Sequence, residues 1–163
     1  MKRLAAAAAI LCCAAFMGNA HAFKTDQCVM LIHEAIEKNQ QVLAGPADRL
    51  SQVLQQTKVS SRAVQFYEAS LLERAAQNVS LRLQMLTFTS NLVHMQSNDK
   101  AKYQAGLVGL DDSSQGTFKI IELRVKEADL TLKDISDRQL RSAAQEVVTA
   151  LKKLSAIYSP CIH

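Results

Sequence analysis

Residues 61–97, SRAVQFYEASLLERAAQNVSLRLQMLTFTSNLVHMQS, decide the fold. The stretch contains no glycine and no proline, the residues that interrupt helices. Val64, Tyr67, Leu71, Arg74, Asn78, Leu81, Met85, Phe88, Leu92 and Met95 recur at alternating spacings of three and four, which is an unbroken heptad phase. One helix of about 55 Å is expected, with this stripe as its buried seam. A second stripe (Val79, Leu83, Leu86, Val93) runs beside the first from residue 79 onward, so that half is expected to be covered on more than one side. The earlier half has only a partial second stripe.

Arg74 and Asn78 interrupt the seam. Polar seam residues of this kind fix register or sit half exposed at a junction; alternatively they form the floor of a partner or ligand groove. Tyr67 lies on the seam, so Phe66 is turned about 100° away and is either a contact residue or a satellite of the core. Phe66, Arg74 and Asn78 are therefore the candidate partner-binding residues.

Outward from this helix, the chain carries only helical signals. A first helix is expected over about 26–43, capped by Thr25, with Val29, Ile32, Ile36 and Leu43 on one face, and stopped by Gly45-Pro46. Pro46 suits the first turn of a short helix with Leu50, Val53, Leu54 and Thr57 as its stripe. A third main helix is expected over about 115–133, with Phe118, Ile121, Val125, Ala128 and Leu132 flanked by Ile120, Leu123 and Leu130. Asp111-Asp112-Ser113-Ser114 lacks the spaced oxygen ligands of a calcium loop and reads as its cap. The last helix opens on the capping box Ser136-x-x-Gln139, buries Leu140, Ala144, Val147, Leu151, Leu154 and Tyr158, and ends at Pro160. The expected fold is all-α: an up-down-up-down four-helix bundle with an additional short helix after the first. Residues 46–75 would project from it as a helical hairpin, or fold back with a bend at 74–78.

The beginning of the chain predicts export. Lys2 and Arg3 precede an apolar run over residues 4–17, and Ala20-His21-Ala22 supplies small residues for cleavage, giving a signal peptide over 1–22 and one helical domain over 23–163. The run is shorter than the roughly 20 residues of a membrane-spanning helix, so no stable membrane insertion is expected. Leu11 stands before Cys12 where a lipoprotein signal needs a small residue. Cleavage near Ala22 would leave a periplasmic or secreted protein with two cysteines, Cys28 and Cys161. In an oxidising compartment that pair reads as a disulfide joining the two ends of the bundle. The two cysteines meet only if the number of long antiparallel helices is even.

Losing Lys2 and Arg3 takes the formal net charge from +4 to +2, and no block of like charges remains, so nucleic acid is not an expected partner. No catalytic residues are assigned: there is no glycine-flanked serine, no cysteine outside the expected bridge, and no carboxylate within an apolar stripe. Covalent haem is excluded, because Cys161-Ile162-His163 lacks the upstream cysteine, and no cofactor is expected. His33, His94 and His163, with Met30 and Met95, are brought to one pole by this topology; they are weak candidates for a soft metal, without ligand spacing among themselves, and no metal is assigned. The functional expectation is a non-enzymatic exported protein that binds another envelope or secreted protein as an inhibitor, immunity protein, chaperone or secretion accessory. Its contact surface would be the 46–75 hairpin or the loop 98–117. The alternative is a bundle that holds a small ligand or metal.

Overall fold

The computed structural model describes residues 28–57 and 63–162. The signal peptide, the mature terminus, the Thr25 cap and His163 lie outside the described residues. The protein is an all-helical bundle, with no strand among the described residues. Its elements are α1 (Ala35–Asn39), a π-helical segment (Gln40–Ala44), α2 (Gly45–Gln56), α3 (Ala63–Met95), α4 (Lys100–Asp134) and α5 (Arg138–Tyr158), followed by a 3₁₀ turn (Ser159–Cys161).

The expected stop at Gly45-Pro46 is not a stop. Residues 28–33, α1, the π segment and α2 follow one another as a single arm, and Ala44 and Gly45 keep right-handed helical angles (−59°, −50° and −59°, −48°). Proline lacks the N–H that an α-helical turn would use, and the wider π turn just before it takes up the interruption without ending the helix. The arm thereby keeps Ile32, Ala35, Leu43, Leu50 and Leu54 buried in one core.

The third helix also begins earlier than expected. Residues 98–117 are not a loop, because α4 starts at Lys100 and carries Gly106, Gly109 and Gly116 inside it. Its cap is Asp99, whose side chain accepts from the Lys102 backbone N–H, rather than the 111–114 run. That N–H and the Lys102 side chain hold the Asp99 carboxyl below the ordinary carboxylate value. Glycine weakens an isolated helix, but packing along α3 outweighs that local cost. At Gly106 the lost side chain permits the approach: a Cβ there would lie 3.0 Å from Val93 Cγ2. For α5, Asp137 is the cap, accepting from the Gln139 and Leu140 N–H groups, in place of the Ser136 box. Its stripe Leu140, Ala144, Val147, Leu151, Leu154 and Tyr158 is buried throughout, as expected.

The 46–75 hairpin does not project. α2 lies against α5 and α3, held by buried Leu50 and Leu54 and by an Arg49–Glu146 ion pair at 2.6 Å. No bend forms at 74–78, since α3 runs through it as one helix. Gln65 ties the start of α3 to the 135–137 turn, donating to Ser136 Oγ and accepting from the Asp137 N–H, each at 2.7 Å. The other end of the bundle carries the overhang. There Cys161 meets Cys28 in a disulfide with Cα atoms 5.7 Å apart, and the tip formed by the end of α3 and the start of α4 continues past the end of α5. Phe118 and Tyr158 stack beneath that pole with centroids 4.7 Å apart.

The largest departure concerns α3 itself. Its buried face is Ala69, Leu72, Ala76, Val79, Leu83, Leu86, Ser90 and Val93, which is the second stripe extended over the whole helix. The stripe expected to be the seam faces solvent: Val64, Tyr67, Leu81, Met85, Phe88, Leu92 and Met95 are 45–78% exposed. Both sets are heptads, turned roughly 150° apart around the helix axis. The choice follows from polarity and size. Arg74 and Asn78 on the outer stripe would be unpaired in a core, at a cost of several kcal/mol, whereas Ala69, Ala76 and Ser90 on the inner stripe allow close approach of the neighbouring helices. Thr87, buried beside the inner stripe, reaches the arm, its Oγ1 lying 3.2 Å from the Ile32 carbonyl. Ser80 donates to buried Asn39 Oδ1 at 3.0 Å.

Candidate functional site: the outer face of the two long helices

The exposed heptad of α3 lies on the side of the bundle that neither the arm nor α5 covers. α4 runs antiparallel beside it, and the α4 positions turned to the same side are Gly109, Ser113, Gly116, Ile120, Leu123, Glu127 and Leu130. Leu123 and Leu130 are 50% and 62% exposed. Seven large side chains of α3 at these exposures present on the order of 800 Å² of largely apolar surface, against roughly 300–600 Å² for the largest patch on a typical monomer. Bulk sits at the far end of α3 (Leu81, Met85, Phe88, Leu92), where the facing part of α4 is small (Gly109, Ser113, Gly116). Towards the start of α3 the pattern reverses: Arg74 and Asn78 stand beside the α4 half that carries Leu123 and Leu130.

Arg74 and Asn78 are brought together in a cavity of about 430 Å³ between α3 and α4, whose walls include Leu71, Ala75, Arg124, Glu127 and Thr131. Arg124 pairs with Glu127 at 2.5 Å, and Arg82 Nε donates to Asn78 Oδ1 at 3.2 Å. Both residues thus line this cavity, Arg74 exposed and Asn78 half-buried. Phe66 is not with them; it is half-buried against the core, while its neighbour Tyr67 takes the exposed position. The residues that sequence reasoning missed are those of the stripe itself, Leu81, Met85, Phe88 and Leu92. Their heptad phase is visible in the sequence, where it points to a core seam.

A second cavity, of about 410 Å³, lies under the α3–α4 tip. Val29, Met30, Val93, Tyr103, Leu107 and Leu110 line it together with His33, Ser90 and His94. The pole therefore gathers Met30, His33 and His94, whereas Met95 faces solvent on the outer stripe. Among the described residues no group of three His, Cys, Asp or Glu side chains is placed to hold a metal. No helix among them is long and apolar enough to cross a membrane. Tyr158, packed next to this pole, has a hydroxyl without a hydrogen-bond partner among the described residues, and burial, with a smaller contribution from the Glu34 charge, raises its pKa to about 12. The chain matches no protein-family model, no curated protein and no solved structure, so its function has to be read from its own surfaces.

Proposed function

We propose that this chain is an exported, non-enzymatic binding protein that docks a helical protein surface along the outer stripe of α3. The exposed heptad carries the reading: Leu81, Met85, Phe88 and Leu92 hold the knob spacing of a coiled-coil seam on a helix whose other face is already packed. Arg74 and Asn78 would border that seam and orient the partner. Export follows from the leader-like residues 1–22 and accords with the Cys28–Cys161 disulfide. Replacing Phe88 and Leu81 with glutamate should abolish capture of the partner from the exported compartment while leaving the circular-dichroism melt of a dilute, monomeric sample unchanged; capture that survives both substitutions refutes the docking face.

A second reading rests on the apolar cavity under the α3–α4 tip, whose size and two imidazoles suit a small apolar ligand with a polar head. Native mass spectrometry of protein purified without denaturation tests it: a co-purifying small molecule, lost on Leu107→Arg, would favour this reading over protein docking.

A further inference from the structure

The docking reading leaves open what covers the stripe. We infer that the occupant is a second copy of this chain, laid antiparallel so that α3 pairs with α3 and α4 with α4 across one two-fold axis. The inference rests on the docking reading and adds the identity and register of the partner.

Three observations carry it. The first is area: a standard protein interface buries about 800 Å² on each partner, which is the scale of apolar surface that the α3 stripe alone presents. The second is the α3 seam read against itself. In the antiparallel register that overlaps the whole stripe, Val64 faces Met95 of the other copy, Leu71 faces Phe88, and Asn78 faces Leu81, the alternating pairing that antiparallel coiled coils use. The flanks of the α3 seam carry no like-charge conflict: Gln77 lies opposite Gln84 and Ala75 opposite Arg82. The parallel in-register arrangement instead stacks Arg74 on Arg74, and like charges at an interface are costly. In the antiparallel one Arg74 faces Met85, with the cavity it shares with Glu127 available for its charged end.

The third observation is independent, because it lies on the other helix. Within one chain the register of α4 on α3 is set at both ends, by Gly106 against Val93 and by Ala128 and Arg124 around one cavity with Leu71 and Ala75. Carrying the two-fold that satisfies α3 across that register places Gly116 opposite Leu123 of the other copy, and Gly109 opposite Leu130. Each exposed leucine of α4 thus meets a glycine. Among the described residues, neither glycine has an atom within 4 Å of where a Cβ would be, apart from its own helical backbone. Packing among those residues gives no reason for glycine at either position, and helix propensity argues against it. A second copy supplies the reason. A two-fold contact of this kind is self-complementary and closes at two subunits.

Sedimentation velocity on the purified chain, from about 1 to 100 µM, tests the inference. A mass of two chains is expected. Leu71→Glu and Phe88→Lys should each weaken self-association roughly 100-fold, since each substitution occurs twice in the interface. The double variant L71E/F88K should restore the dimer, because positions 71 and 88 face one another only in the antiparallel register. Gly116→Leu should separate the two states: it raises the melting temperature of the dilute monomer, where the site is open, and weakens association at least about tenfold, where Leu123 fills it. A monomer at 100 µM overturns the inference, and so does a dimer unaffected by these substitutions or one that the double variant fails to restore. If the protein is monomeric but loses a different partner on Phe88→Lys, the docking face stands and the second copy is rejected. A monomer for which Phe88→Lys changes no interaction removes both.

Discussion

The two faces of α3 have the same period and opposite fates. The inner face (Ala69, Leu72, Ala76, Val79, Leu83, Leu86, Ser90, Val93) mixes small and branched residues and is buried, whereas the outer face carries larger side chains, an arginine and an asparagine, and is exposed. Heptad spacing therefore marks an apolar face, without saying whether the fold buries it. Side-chain size and the cost of a buried charge decide it: close helix packing selects Ala, Ser and Val, and an unpaired Arg74 bars the outer face from the core.

The bridge between the ends offers the largest test of how well the inner face closes the bundle by itself. Reduction, or Cys28→Ser, releases a closure spanning 133 positions, which in the chain-entropy picture is about 5 kcal/mol as an upper figure. A strong fall in melting temperature with the helical circular-dichroism shape retained is expected; loss of the helical signal at 25 °C would mean that the inner face cannot hold the fold unaided. Next in size is the direct contrast between the faces. Leu83→Ala, fully buried, should cost about 3 kcal/mol in urea unfolding, while Phe88→Ala, measured where the protein is dilute and monomeric, should change stability by less than about 0.5 kcal/mol. Equal costs would erase the distinction between the faces.

Alkaline pH probes the end of the core that the inner face shares with α5. The folded Tyr158 pKa is raised from 10.0 to about 12, so its contribution is fully present below pH 10 and is lost as pH rises from 10 through 12. Linkage puts the loss at up to about 3 kcal/mol. Tyr158→Phe should remove that part of the pH dependence and, because the hydroxyl has no partner among the described residues, should not destabilise the protein at pH 7; an unchanged alkaline limb would exclude Tyr158 as its source. A small gain is expected from Gly116→Ala on the exposed side of α4, about 0.5–1 kcal/mol for the monomer from helix propensity, read from the melt of a dilute sample. A loss there would show that the site is already filled.

The all-helical class, the α5 stripe and the Cys28–Cys161 bridge were legible because each depends on local periodicity or on the parity of an antiparallel path. Gly45-Pro46 and the glycines of α4 misled the reading for a common reason: they are local breaking signals, and here burial of Leu43, Leu50, Leu110 and Phe118 on continuous helical faces outweighs them. Of the candidate site, Arg74 and Asn78 were recognisable as anomalies on a seam. Phe66 was assigned outward only because Tyr67 was assigned inward.

Amino-acid order alone determined that α3 would be a single long helix with two apolar faces, since that needs only spacing and the absence of glycine and proline. Which face is core, and hence which is left exposed, was decided by tertiary packing. The reason is that burial compares alternatives across the whole fold: the arm and α5 together cover one side of α3, and the side that includes Arg74 and Asn78 is the cheaper one to leave in water.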